Sequence, residues 1–210
     1  MALFAPVASG GKDFEPVPAG THFAICTGVF DIGLQPGSPA YPAPKRILQL
    51  RYEIPTERVK WEKDGEQFDK PAIVYERLPF NMGKKALMRA MVESWYSMNL
   101  TDEQAGKVDI EKFLGRPATL SIVHNKSGDK VYANIGAIGP LPKGMEPPKA
   151  ENPLLLYHAD HTDPFDQLPK FLQDKIRNQL QPVTEDDRDE RMANERGDGF
   201  LDDDLADVPF

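Results

Sequence analysis

The chain has 210 residues and a mass of 23.5 kDa, and 40% of its residues are hydrophobic. That length suits one ordinary domain with additional segments and is too short for two full domains. The sequence has no run of about 18 apolar residues and no basic, apolar leader, so we expect no membrane span and no secretory signal and predict a cytoplasmic protein. The single cysteine, Cys26, excludes an intramolecular disulfide, and we expect it to be buried.

The net charge of −8 is concentrated at one end of the chain. Residues 183–210 contain eleven acidic and three basic residues, whereas residues 1–182 contain 22 of each. The sequence pI of 5.1 therefore hides local basic clusters in a neutral body. An acidic average does not exclude a nucleic-acid partner.

The first part of the chain predicts an arm followed by three strands. Residues 1–19 form an irregular, proline-containing arm, and residues 21–33 alternate as a strand does. A loop with four prolines precedes the second strand, residues 45–54, and residues 72–80 form the third. In the second strand, alternation places one set of side chains in the core (Leu48, Leu50, Tyr52, Ile54) and another on the opposite face (Gln49, Arg51, Glu53).

Between the second and third strands lies a charged stretch, residues 56–70. It contains Asp64-Gly65, a hairpin signal, with Trp61 and Phe68 on its two sides. We expect Trp61 to lie in a charged loop.

After the third strand the hydrophobic period changes. An apolar stripe at four-residue spacing (Leu87, Met91, Trp95, with Met88 and Val92) predicts a helix over 84–97, and a shorter helix is expected at 110–114. Strands at 117–124 and 130–137, joined by a five-residue turn, complete the body. Five strands with a helix between the third and fourth is the layout of the OB-fold, a small Greek-key barrel that commonly binds oligonucleotides.

The fold class is therefore mainly β with inserted helices, in four segments. These are an N-terminal arm (1–19), a five-stranded OB-fold barrel (20–143), a proline-rich linker with a short amphipathic helix (144–182), and a disordered acidic tail (183–210). Leu168, Leu172, Ile176 and Leu180 define the amphipathic helix, which begins near Pro169 and is a candidate contact for a homo-oligomer.

The tail ends in an unusual way for an acidic segment. Its last ten residues, LDDDLADVPF, place an aromatic ring and the terminal carboxylate together after a run of aspartates. A partner can take the ring in an apolar pocket and pair the carboxylates with Arg or Lys.

The triple aspartate and the Val-Pro-Phe ending resemble the acidic tip of bacterial and bacteriophage single-stranded DNA-binding proteins. The body, with its long loops and extra helices, resembles the phage-encoded type more than the cellular type. The resemblance implies an OB-fold core that coats single strands during replication and recombination, in the host bacterial cytoplasm for a phage protein. It also implies that replication, recombination and repair enzymes are recruited by the tip (Asp202, Asp203, Asp204, Asp207, Val208, Pro209, Phe210). Here Leu205-Ala206-Asp207 separates the triple aspartate from the final three residues, which departs from the family pattern.

Binding of single strands without sequence preference needs cations along the phosphates and flat rings on which bases stack. Trp61 is the first choice for a stacking residue because basic residues flank it. The candidate nucleic-acid-binding residues are Arg51, Lys60, Trp61, Lys63, Tyr75, Arg77, Lys84, Lys85, Lys126, Lys130 and Tyr132.

The sequence does not suggest catalysis, a metal or a cofactor. The segment HADHTD, with His158 and His161, places histidines three apart, but Pro164 favours a loop and no further ligand pair follows. No glycine-rich phosphate loop and no nucleophile motif is present. The alternative to strand binding is an acidic adaptor or DNA mimic that inhibits a DNA-processing enzyme; the neutral body favours the strand binder.

Overall fold

The computed structural model describes residues 15–63, 65–158 and 164–180. Within these ranges the protein is mainly β, and five antiparallel strands form a curled half-barrel sheet in the order β3-β2-β1-β4-β5. The strands are β1 (Gly20–Gln35), β2 (Lys45–Lys63), β3 (Glu66–Pro79), β4 (Pro117–Ser127) and β5 (Lys130–Gly139). The predicted five strands and their order along the chain are confirmed.

The hairpin between β2 and β3 is much longer than the alternation predicted. After a bulge between Ile54 and Arg58, the two strands pair on to Lys63 and Glu66, so the charged stretch is a strand ribbon and not a loop. Gly65 takes a φ of +82° in the turn, a conformation that glycine adopts without steric cost. The hairpin signal was therefore correct, and the assignment of Trp61 to a loop was wrong.

The hairpin between β4 and β5 is also tighter than predicted. Ser127 pairs with Lys130, so the connection is a two-residue turn through Gly128 and Asp129. The expected five-residue turn was wrong because β4 extends three residues beyond His124.

β1 bends and pairs with two neighbouring strands in the antiparallel sheet. Its first half pairs with β4 and its second half pairs with β2, with a register shift between Cys26 and Gly28. A Cβ at Gly28 would lie 2.2 Å from the ring of Phe30, so the bend is compatible only with glycine. This bend curls the sheet.

The helix predicted between β3 and β4 is present. It is α1 (Leu87–Tyr96), which starts three residues later than expected and is followed by α2 (Asp102–Ala105) and a 3₁₀ turn (Ile110–Phe113). Its buried stripe covers the inner face of the sheet. The core there contains Cys26, Leu48, Leu50, Tyr52, Ile54, Met88, Met91, Val92, Trp95, Phe113 and Leu120.

The outer face of the sheet is covered by part of the segment predicted to be a linker and an amphipathic helix, residues 144–182. A short strand, β6 (Leu155–Tyr157), pairs in parallel with β1, and α3 (Lys170–Arg177) packs beside it. This second core contains Phe30, Ile32, Ile47, Leu155, Tyr157, Leu168, Leu172 and Ile176. The short strand β6 was not predicted.

None of the helices in the described ranges is long and apolar enough to cross a membrane.

Candidate nucleic-acid interface

The half-barrel leaves a seam between its two edge strands. Neighbouring strands alternate in direction along the path from β3 to β5, so the two edges run the same way. Residues 72–78 of β3 lie beside residues 131–138 of β5, and no ladder joins them within the described residues. Unpaired backbone groups of edge strands are ready to bind another chain or ligand.

At one end the seam widens into a cleft of about 830 Å³. This cleft is within the size range of ligand sites in proteins, about 300–1,000 Å³. Its lining comes from the N-terminal arm, the β2–β3 hairpin and the β4–β5 hairpin. The residues are Glu15, Pro16, Val17, Val59, Ala72, Ile73, Val74, Tyr75, Asp129, Lys130, Val131, Tyr132 and Ala133.

The β5 side of the cleft carries two of the predicted binding residues. Tyr132 is 50% exposed, and the side chain of Lys130 is also exposed. Lys126 is exposed as well, but it stands opposite Val131 in the β4–β5 ladder and so lies on the other face of the hairpin from Lys130 and Tyr132. Tyr132 and Lys130 thus combine an exposed ring with a cation, which suits stacking on a base beside a phosphate.

The β3 side of the cleft carries Tyr75. Its ring is half-buried and packs edge-on against Phe171 of α3, with the ring centroids 5.1 Å apart. Burial raises the pKa of the Tyr75 hydroxyl, and the nearby Arg51 guanidinium partly offsets that rise. Tyr75 therefore helps to form the wall, with one edge of its ring already in contact with α3.

The β2–β3 hairpin continues beyond the cleft through residues 55–70, which we call the hairpin extension. Near its tip Trp61 stacks on Phe68, with the ring planes at 11° and the centroids 5.1 Å apart. Lys60 is 74% exposed, and its Nζ lies 3.8 Å from a carboxylate oxygen of Asp69. The hairpin extension thus carries a flat aromatic pair on one face and Lys60 on the other.

Lys63 is the last residue of β2, and its side chain lies outside the described part of the structure.

Arg51 does not belong to this interface. Its side chain is only 7% exposed, because the segment before β6 covers it. It donates to Thr27 Oγ1 at 3.0 Å and to the backbone carbonyl of Pro153 at 2.7 Å. Burial lowers the pKa of Arg51, and neighbouring Tyr75 and Glu53 oppose that shift. The predicted alternation of β2 was correct, but its outer face is covered by the second core and is not exposed to solvent.

Three other predicted cations are exposed but lie away from the cleft lining. Arg77 is on the outer face of β3, close enough to Lys175 of α3 to contribute, after burial, to a lowered pKa of that lysine. Lys84 and Lys85 precede α1, and Lys84 Nζ lies 3.1 Å from the Asp102 carboxylate. The structure does not bring these residues together with Lys130 and Tyr132.

Glu76 was not among the predicted site residues; its carboxylate lies on the inner face of β3 at the seam. Its position between the buried Val74 and Leu78, two residues away on either side, is a signal that the sequence contains. A charged residue at an inward position of a strand indicates either a buried network or a site.

The predicted partner-binding tip, residues 202–210, lies outside the described residues, as do Asp160, His161 and Asp163 of the HADHTD segment. His158 is described, and its Nε2 lies 3.2 Å from Glu111. Within the ranges that the structure covers, no group of three or more metal-ligating side chains is found.

Comparison with known proteins adds no relative: no protein-family model, curated protein or solved structure matches the chain.

Proposed function

We propose that the chain is an OB-fold single-stranded DNA-binding protein that holds the strand along the seam and recruits enzymes through its acidic tip. The half-barrel supports this assignment because its path β3-β2-β1-β4-β5 becomes a closed barrel when the two edges meet. The helix between β3 and β4 is also where an OB-fold of this layout has it.

The observation that carries the proposal is the cleft and what borders it. One exposed ring, Tyr132, and two exposed lysines, Lys126 and Lys130, come from the β4–β5 hairpin. The hairpin extension, residues 55–70, lies on the other side and carries the Trp61–Phe68 pair and Lys60. A strand that follows the seam meets stacking surfaces and cations from both hairpins, without a specific pattern of hydrogen bonds to bases in the cleft.

The proposed recruitment rests on the sequence of the tail. Its charge of −8 over residues 183–210 and its Val-Pro-Phe ending suit a partner with an apolar pocket beside basic residues. The same charge, tethered near basic side chains, competes weakly with DNA for them. Salt and DNA both release such a contact.

Fluorescence anisotropy with a labelled 12-mer oligothymidine tests strand binding. We expect the full chain to bind the single strand more tightly than a duplex of the same length, with affinity falling by a log–log salt slope of about −0.7 per phosphate contacted. Trp61→Ala should weaken binding by about 1–3 kcal/mol. The control is Leu154→Ala, which removes an exposed apolar side chain outside the cleft.

Binding of neither DNA form at low salt, by the full chain and by a chain ending after residue 182, would overturn the proposal. It would favour the acidic adaptor instead, because that protein needs no affinity for DNA.

A further inference from the structure

A second cavity lies farther along the seam, under α1. Its volume is about 380 Å³, and it is separate from the lining of the cleft. Tyr52, which is fully buried, forms its closed end, and Leu87, which is 67% exposed, stands at its rim. The other walls come from Glu76 and Leu78 of β3, from residues 90–94 of α1 and from residues 135–138 of β5. We call this cavity the seam pocket.

Two polar groups in the seam pocket have no partner. The hydroxyl of Tyr52 is the one buried side-chain oxygen or nitrogen in the described ranges that makes no hydrogen bond. No cation or hydrogen-bond donor of the described residues meets the Glu76 carboxylate, and burial raises its pKa from 4.5 to about 7. By contrast, the Ser94 hydroxyl donates to the carbonyl of Ile138.

Such groups are costly to a fold. Without a partner, a fully buried hydroxyl such as that of Tyr52 destabilises the native state, and a half-buried carboxylate such as that of Glu76 does so to a lesser degree. Nearly all buried polar groups in proteins are satisfied. An apolar pocket with a few convergent polar groups and a titrating group of shifted pKa is the usual form of a ligand site. The two groups are therefore explained if a ligand supplies their hydrogen bonds.

The chemistry of the pocket restricts that ligand. Its apolar walls suit a flat ring, and in its ionised form the carboxylate of Glu76 repels phosphate and carboxylate groups, including the terminal carboxylate of the tail. A carboxylate accepts N–H donors, as it does from the exocyclic amine of cytosine. The ligand is therefore a ring with an amine edge and no negative charge of its own.

We infer that the seam pocket takes one base of the bound strand, inserted from the adjoining cleft, and selects a base with an exocyclic amine through Glu76 and Tyr52. The inference rests on the proposed strand binding, and it adds a base preference to a surface that otherwise binds without one. The cleft and the pocket occupy successive positions on the same two strands, so a strand lying along the seam passes both.

Oligocytidine and oligothymidine 12-mers are a matched pair of probes, because cytosine carries an amine where thymine carries a carbonyl. In anisotropy titrations of the full chain at one salt concentration, we expect tighter binding of oligocytidine by about fivefold or more. Glu76→Gln should abolish this preference, since a glutamine amide also donates to the thymine carbonyl. Tyr52→Phe, which removes only the hydroxyl, should reduce it.

Two further variants control the interpretation. Glu103→Gln removes the same charge from an exposed position on α2 and should keep the preference. Ala90→Leu adds volume from the exposed surface of α1 into the pocket and should abolish the preference in a protein that remains folded by circular dichroism.

Equal affinity of the wild-type chain for the two probes would overturn the pocket inference and leave strand binding intact. A preference that survives both Glu76→Gln and Ala90→Leu would also overturn it. Failure to bind either probe would refute the strand-binding proposal itself and, with it, the inference that depends on it.

Discussion

The outer face of the sheet and the seam differ in how they treat buried polar side chains. On the outer face, the Glu53 carboxylate accepts backbone N–H groups of Glu151 and Asn152 at 2.6 and 3.0 Å, and Arg51 donates to Thr27 and Pro153. At the seam, Tyr52 and Glu76 have no such partners in the described structure. Residues 51, 52 and 53 are consecutive in β2, so the two environments lie on opposite faces of one strand.

This difference separates structural polar groups from candidate functional ones. The polar groups of the outer face are satisfied by the segment around residues 150–153, which they hold against the sheet. Those of the seam pocket destabilise the protein unless something else binds there. Burial alone does not distinguish the two cases, whereas the presence or absence of partners does.

The largest expected effect is on the outer face. Arg51→Met leaves Thr27 and Pro153 without their donor and removes a positive charge that interacts with Glu53, and we expect a loss of about 3–5 kcal/mol in the free energy of unfolding. Urea denaturation at pH 7 measures it, with Arg77→Met, an exposed arginine on β3, as the control. A loss no greater than that of the control would show that Arg51 has no structural role.

A smaller effect is expected at the cleft. Tyr132→Ala removes an exposed ring and should weaken binding of oligothymidine by about 1–3 kcal/mol while leaving the free energy of unfolding nearly unchanged. Anisotropy and urea denaturation measure the two quantities. Unchanged affinity in the folded variant would remove Tyr132 from the interface.

Glu76→Gln tests the cost of the unpaired carboxylate. Because the pKa of Glu76 in the folded protein is raised to about 7, its stabilising contribution is present below pH 4.5 and is lost as the pH rises through 7. Glutamine does not titrate, so the variant should be more stable than wild type at pH 8 by on the order of 1–2 kcal/mol, after allowance for partial exposure. At pH 4 the difference should vanish. Urea denaturation at both pH values measures it, and a variant less stable at pH 8 would mean that Glu76 has a native partner.

The smallest effect on DNA affinity is expected from the tip. Deletion of residues 208–210 should leave affinity unchanged or slightly raised, since the tail competes with DNA, but it should abolish recovery of DNA-processing enzymes in pull-downs from bacterial extract. Recovery of the same proteins with and without the three residues would refute recruitment through the tip.

Local periodicity was sufficient to predict the core of β2 and the helix α1. Leu48, Leu50, Tyr52 and Ile54 alternate, and Met88, Met91, Val92 and Trp95 follow a helical stripe, so both patterns report their own burial. The fate of Arg51 was not predictable in this way, because the segment that buries it lies 102 residues away in sequence. β6 has only three residues and pairs with β1 through tertiary contacts, which local alternation does not encode.

The candidate site was predictable only in part, for the same reason. Lys60, Trp61, Lys130 and Tyr132 were identified from charge and aromatic content, yet nothing local indicates that Lys84 lies beside α2 while Lys130 lines the cleft. The seam itself arises from the strand order, which places residues 72–78 of one edge strand beside residues 131–138 of the other. For the seam pocket, the sequence signal was Glu76, an acidic residue at an inward position of a strand.

The most direct test of the account is an amide chemical-shift titration of the ¹⁵N-labelled full chain with a 12-mer oligothymidine. If the strand lies along the seam, the largest shifts will be in residues 72–78 and 130–138 and in the hairpin extension, residues 55–70, with little change at β6 and α3. Shifts concentrated at β6 and α3, with none along the two edge strands, would contradict it.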